Sequence, residues 1–133
     1  MLNLHDFLAR ARTIAVLGAH PNPNKAAFYV PDYLGRHGYR LLPVNPVYAG
    51  QELWGRRVVS HLTDLSDAID IVDVFRRSEA LPDHLAEILA VKPRLVWLQS
   101  GISNEEFTAA LRVAGIPVVQ NQCLMVVHRQ LLG

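Results

Sequence analysis

The chain is short of cysteine, lysine and long apolar runs, and each shortage excludes something. Cys123 is the only cysteine in 133 residues, so no internal disulfide can form, and one thiol among scattered histidines lacks the spacing of a zinc site. A reducing cytoplasm is the expected compartment. Lysine fills two of the thirteen basic positions and the formal net charge is only +1, which leaves no electrostatic footprint for nucleic acid or an anionic membrane. Any phosphate binding must come from a local site. No apolar run reaches membrane-spanning length, and His5, Asp6, Arg10 and Arg12 break up the first dozen residues, so neither a span nor a signal peptide is expected. Half of the residues are apolar and 19% charged, the balance of a soluble globular protein folding as one domain over 1–133.

What is present is organised around one stretch. Thr13 to Leu17 is a short aliphatic strand that ends at Gly18, breaks into the loop Ala19-His20-Pro21-Asn22-Pro23-Asn24-Lys25, and re-enters a helical segment at Ala26. Strand, glycine turn and helix in that order carry anions in parallel α/β sheets: glycine lets backbone approach the ligand, and the helix points unpaired N–H groups at it.

Around it the chain alternates. Leu2, Leu4, Phe7, Leu8 and Ala11 share one face of an initial amphipathic helix. The helix from Ala26 to His37 stops at Gly38, with Pro31 either kinking it or marking where its regular part begins. Tyr39 to Val44 is the second strand. Val47 to Ser60 reads as a loop with a brief strand at Arg57 to Ser60, and Asp64 to Ile69 as a short helical link. Ile69 to Phe75 is a strand, followed by a helix from an N-cap at Ser78 to about Val91. Leu95 to Leu98 is a fully apolar strand; Ser103 and Glu106 form a capping box for a helix through Ala114 that stops at Gly115; Ile116 to Val119 is the last strand, and a final helix runs to about Leu132. The pattern predicts a Rossmann-like, mostly parallel sheet of five or six strands with helices on both faces.

Ligands of such sheets bind beyond the carboxyl ends of the strands. There stand Gly18 to Lys25, then Asn45 and Pro46, then Phe75, Arg76 and Arg77, then Gln99, Ser100 and Gly101, and finally Asn121, Gln122 and Cys123. The set is cationic, rich in amides and poor in carboxylates. Lys25, Arg76 and Arg77 suit phosphate oxygens, and Phe75 or Val44 suits an adenine face. His20 reads as a loop residue, His61, His84 and His128 as surface or helix-face residues, and Trp54 and Trp97 as packing. Nicotinamide cofactors fit poorly, because Gly18 has no second or third glycine partner and Val44-Asn45-Pro46 lacks the acid that grips a ribose. No nucleophile elbow, Walker lysine motif or metal-ligand histidine pair is present.

Taken together, Ile14 to Lys25, Leu42 to Tyr48, Ile71 to Arg77, Trp97 to Ile102 and Gln122-Cys123 resemble the stand-alone CoA-binding domain proteins, which are similar to the N-terminal CoA-binding domain of the succinyl-CoA synthetase alpha subunit. The resemblance runs from about Thr13 to His128. It implies coenzyme A or an acyl-CoA as the ligand, with Gly18, Ala19, His20, Pro23 and Lys25 taking its phosphates, and Val44, Asn45, Pro46, Phe75, Arg76 and Arg77 framing the nucleotide. Gln99, Gly101 and Cys123 then line the path of the pantetheine arm. The family commonly has serine where His20 stands and an Asp-Arg pair where this chain has Asn121-Gln122. Ligase activity is not implied, since the phosphorylated histidine of the synthetase lies in a second domain.

Cys123, at the start of the last helix, reads either as a small buried hydrophobe or as a thiol able to form a mixed disulfide with CoA. The leading expectation is a CoA-binding module without catalysis. An enzyme acting on an acyl thioester or nucleotide, and a CoA-sensing regulatory subunit with an unknown protein partner, are the rival readings.

Overall fold

The computed structural model describes residues 2–133; Met1, which the sequence reading includes in the first helix, lies outside them. In chain order the elements are α1 (Leu4–Arg10), β1 (Thr13–Leu17), α2 (Ala26–Arg36), β2 (Arg40–Val44), β3 (Glu52–Leu53), β4 (Arg56–Arg57), β5 (Ile71–Val74), α3 (Leu85–Val91), β6 (Leu95–Leu98), α4 (Glu105–Val113), β7 (Val118–Val119) and α5 (Leu124–Leu131). Five strands form one parallel sheet in the order β2-β1-β5-β6-β7. This is the Rossmann-like α/β fold that the alternation predicts.

Period-two alternation assigns each strand residue to a layer. Ala15 and Leu17 of β1, with Val72 and Val74 of β5, face Leu81, Ile88, Phe107 and Leu111 of the α3 and α4 side. Ile14, Val16 and Ile71 face Leu8, Val30, Leu34 and Leu124 of α1, α2 and α5. Because both faces are covered, β1 and β5 are buried along their whole length. Truncating a fully buried leucine such as Leu111 to alanine would cost roughly 2–5 kcal/mol. Pro31 stays inside α2 without ending it, since it forfeits one backbone donor while its ring joins Val30 and Leu34 on the buried stripe. No helix of the described residues is long and apolar enough to cross a membrane.

Four sequence expectations need correcting. The expected strand at Arg57 to Ser60 is instead a separate hairpin, β3–β4, turned by Trp54 and Gly55; both have positive φ, as a two-residue turn matched to strand twist requires. Val59 joins the main sheet through one parallel bridge to Val44. The expected helical link at Asp64 to Ile69 is a single 3₁₀ turn over Leu62–Asp64. Ser78 caps no α-helix: Ser78–His84 is 3₁₀, with Pro82 inside it denying α-type bonding, and the Ser78 hydroxyl accepts from the Ser103 N–H at 3.1 Å. The cap of α4 is Asn104, whose side chain accepts from the Phe107 N–H at 2.9 Å, one residue later than the expected box.

Trp97 is completely buried in mid-strand, as packing, and its indole Nε1 donates to the Gln122 carbonyl at 2.8 Å, tying the loop after β7 to the sheet. Beside it, in register on β5, stands the fully buried Asp73, whose carboxyl oxygens have no hydrogen-bond partner. Burial raises its pKa well above the ordinary carboxylate value, so the uncharged acid persists to higher pH than it does for a free carboxylate.

Candidate functional site

With strands in this order the connections leaving β1 and β5 pass to opposite sides of the sheet, which opens a crevice between their carboxyl ends. A cleft of about 870 Å³ lies there. Gly18 forms its base. The backbone is left-handed at this residue (φ +93°), and a Cβ would sit 2.5 Å from the Phe75 carbonyl oxygen and 3.2 Å from Cδ of Arg76. Only glycine lets the chain leaving β1 lie flat against the chain leaving β5.

The loop after Gly18 is held by its own bonds. Gly18 and Ala19 donate their N–H groups to the Val44 carbonyl at 2.8 and 3.3 Å, and Lys25 donates to Asn22 at 3.0 Å. Nδ1 of His20 accepts from the Asn22 N–H at 3.0 Å, so the other ring nitrogen carries the proton toward the Tyr48 hydroxyl at 3.0 Å. His20 is therefore a brace with both ring nitrogens committed. Lys25, the N-cap of α2, makes no side-chain cap bond, and Ala26 and Ala27 of the first turn, whose amides have no partner within the helix, line the cleft.

Phe75, Arg76 and Arg77 form the wall from β5, and Phe75 donates its N–H to the Leu17 carbonyl at 2.8 Å. Among the described residues no carboxylate lies within ion-pair distance of Arg76 or Lys25, whereas Arg77 reaches Glu79 at 3.7 Å on the surface. The far end is built from the loops after β6 and β7. The Gly101 N–H donates to Asn121 Oδ1 at 2.6 Å and the Asn121 N–H to the Ile102 carbonyl at 3.1 Å, with Asn121 left-handed. Gln99 accepts from the Leu124 N–H at 2.9 Å, which leaves its buried Nε2 without a partner. Cys123, half-buried, is the N-cap of α5.

Of the fourteen site residues expected from sequence, ten line this cleft: Gly18, His20, Lys25, Asn45, Phe75, Arg76, Arg77, Gln99, Gly101 and Cys123. Four do not. Val44 and Ala19 are fully buried, their side chains in the two core layers, so Val44 offers no face to an adenine and contributes its carbonyl alone. Pro23 is exposed away from the cleft, and Pro46 borders a smaller neighbouring cavity. Asn45 earns its place by a buried bond: Nδ2 donates to the Ala19 carbonyl at 2.9 Å, linking the chains that leave β1 and β2.

The structure also brings in residues that the strand-end reading misses. Tyr29 of α2 and Met125 and Val126 of α5 line the cleft, Tyr29 and Val126 being exposed there. They lie on helices, so attention to strand ends passes over them; large residues left exposed on otherwise amphipathic helices, Tyr29 on α2 and Val126 on α5, were the available signal. His128 is buried, against expectation, under Tyr33, His37 and Tyr39. His84 is mostly buried as well, paired with Glu87. The cleft as built can hold anionic groups near Lys25 and Arg76, and amide and thiol groups toward Gln99 and Cys123.

Comparison with known proteins bears on that chemistry. The family model described as the CoA binding domain matches residues 12–129. The uncharacterized protein YneT of Bacillus subtilis (strain 168) is 36% identical over 125 residues, spanning 94% of this chain and 91% of its own. The structure of cell-free ID.343 from Thermus thermophilus superposes with a TM-score of 0.97 at 55% identity, covering 98% of this chain and all of that one. The fold alone recurs in part of a larger enzyme, the dinucleotide-forming acetyl-coenzyme A synthetase 1 of Ca. Korarchaeum cryptofilum, at a TM-score of 0.74 and 22% identity over 91% of this chain and 28% of that one. The chain belongs to the CoA-binding domain family.

Proposed function

We propose that this member of the CoA-binding domain family holds coenzyme A, free or acylated, across the carboxyl ends of β1, β5, β6 and β7, and that its role is to hold the ligand without transforming it. The observation that carries the reading is Arg76: its Cδ lies 3.2 Å from where a Cβ of Gly18 would stand, it lines the cleft at the crevice where the strand order reverses, and among the described residues its guanidinium has no carboxylate partner.

The residues fit the ligand. Lys25, Arg76 and the first-turn amides of Ala26 and Ala27 would take phosphate oxygens, and Phe75 offers an apolar face for the adenine. The orphaned Nε2 of Gln99 would find its acceptor in an amide carbonyl of the pantetheine arm, which supplies what the protein lacks there. Tyr29, Met125 and Val126 give that arm, or an acyl group beyond it, an apolar wall. The reading of holding without catalysis is supported by His20, whose two ring nitrogens are already engaged and so offer no base.

Calorimetric titration of the ligand-free protein tests this. CoA binds far more tightly than NAD, and Arg76→Ala weakens CoA by roughly 1.5–3 kcal/mol, the range for a hydrogen bond to a charged group. Absence of CoA binding overturns the assignment, and turnover of acetyl-CoA or succinyl-CoA by the pure protein overturns the non-catalytic part.

A further inference from the structure

A second cavity, of about 230 Å³, shares Gly18, Asn45 and Arg76 with the main cleft and is walled by His61, His84 and Glu87. Three side chains there form a chain of hydrogen bonds. Nε of Arg76 donates to Nε2 of His84 at 3.2 Å, Nδ1 of His84 lies 2.7 Å from Oε2 of Glu87, and Oε1 of Glu87 accepts from the Leu62 backbone N–H at 2.7 Å. The far end is thus fixed to backbone, and both middle members are largely buried, each side chain 15% exposed.

Proton accounting fixes the tautomer. An ionised Glu87 only accepts, so His84 Nδ1 carries the hydrogen; Arg76 Nε only donates, so His84 Nε2 is bare. The relay then uses one of the five N–H bonds of Arg76 and leaves the four on its terminal nitrogens, which have no protein partner among the described residues. The pKa of Glu87 supports the ionised form: burial pushes it up, but the bonds from His84 and the Leu62 amide outweigh burial and hold it below its usual value.

We infer that Glu87 and His84 are positioning residues for Arg76, holding the guanidinium by its Nε so that its terminal nitrogens stand ready for a phosphate in the cleft. The inference rests on the reading of Arg76 as a phosphate ligand. An arginine side chain has many rotamers, and one ordered before the ligand arrives loses less freedom on binding, so the relay raises affinity without touching the ligand.

Glu87→Gln is the discriminating variant. Its amide oxygen still accepts from Leu62, while its NH₂ donates to His84 Nδ1 and forces the ring proton onto Nε2, against Arg76. On the 133-residue chain, Glu87→Gln and His84→Ala should each weaken CoA about 3- to 10-fold, His84→Gln should recover part of the loss by accepting from Arg76, and neither loss should appear once Arg76 is alanine. The relay is also readable without ligand: the bond to His84 should slow solvent exchange of the Arg76 Nε–H resonance in the parent protein, and Glu87→Gln should lose that protection. Retained protection, or equal losses with and without Arg76, overturns the relay. If Arg76→Ala leaves CoA affinity unchanged while the resonance behaves as stated, the relay stands as a structural device and the phosphate role of Arg76 fails.

Discussion

The hydroxyl of Tyr33 lies 2.9 Å from Nδ1 of His128, joining α2 to α5 across the layer that covers one face of the sheet. The His37 ring stands 5.1 Å from that of His128, and its own Nδ1 is 2.8 Å from the Tyr33 carbonyl. Burial, and then the neighbouring His37, lower the pKa of His128 below its ordinary value.

The sign of the resulting pH dependence follows directly. A histidine whose folded pKa is depressed binds fewer protons in the native state than in the unfolded one, so its contribution is complete above the unfolded pKa of about 6.5 and is lost as pH falls below it. Thermal melts between pH 8 and 5 should therefore contain a His128-dependent decline in Tm below about pH 6.5, superposed on the opposite contribution of Asp73. In His128→Gln that decline should be shallower. Parallel profiles in the two proteins would remove His128 as the cause.

Asp73 has the opposite linkage. Its raised folded pKa means that the native state keeps a proton the unfolded chain gives up, so stability is unpenalised below about pH 4 and falls as pH rises through the window up to the folded value. Asp73→Asn keeps the shape and removes the titration. The variant should melt higher than the parent at pH 7, with the gain vanishing near pH 4. A pH-independent difference would show that packing, and not ionisation, separates the two.

Gly18→Ala places a methyl group 2.5 Å from the Phe75 carbonyl oxygen in a left-handed backbone. The strain of that conformation alone is roughly 1–2 kcal/mol, and separating β1 from β5 adds to it. Denaturant unfolding should show a loss of about 2 kcal/mol or more, and the rearranged crevice should bind CoA more weakly. Gly50→Ala, at a left-handed glycine with no atoms near its Cβ, is the control for strain without collision.

Cys123 lines the cleft half-buried, close to where the pantetheine thiol would lie on the proposed reading. Treating the protein with CoA disulfide should transfer one CoA to Cys123: the Cys123 thiolate attacks, one CoA leaves as the thiol, and the new bond is a mixed disulfide. Intact mass should show an adduct that reducing agent removes and that Cys123→Ser lacks. An adduct persisting in that variant would place the reaction elsewhere.

The sheet was legible because its strands are short aliphatic runs closed by Gly18, Asn45 or a polar cluster, and period-two burial on both faces leaves few other assignments. The crevice was legible for the same reason, since strand ends converge by topology. What escaped the sequence depends on distances between segments. Ser103 and Asn104 are both cap-forming residues, and the choice of Asn104 follows from its neighbours, the Gln120 side chain accepting from the Asn104 N–H at 2.9 Å and Ser78 accepting from Ser103. Val44 reads as a strand-end residue, yet the bridge from Val59 covers it. The i, i+3 spacing of His84 and Glu87 was visible, but its meaning required the 3₁₀ stretch that returns His84 to Arg76, eight residues back. His128 looked like a helix-face residue because its cover comes from α2, far away in sequence.

The cross-bonds among Gly101, Asn121, Ile102, Gln99 and Leu124, together with the indole bond from Trp97, hold the far loops of the cleft to one another and to the sheet. Such a site is a socket and not a closing hand. Entry of the ligand should then be a single diffusional event, with an observed stopped-flow rate that climbs linearly with CoA concentration and reaches no plateau, and affinity differences among acyl-CoAs should appear in how long each one stays.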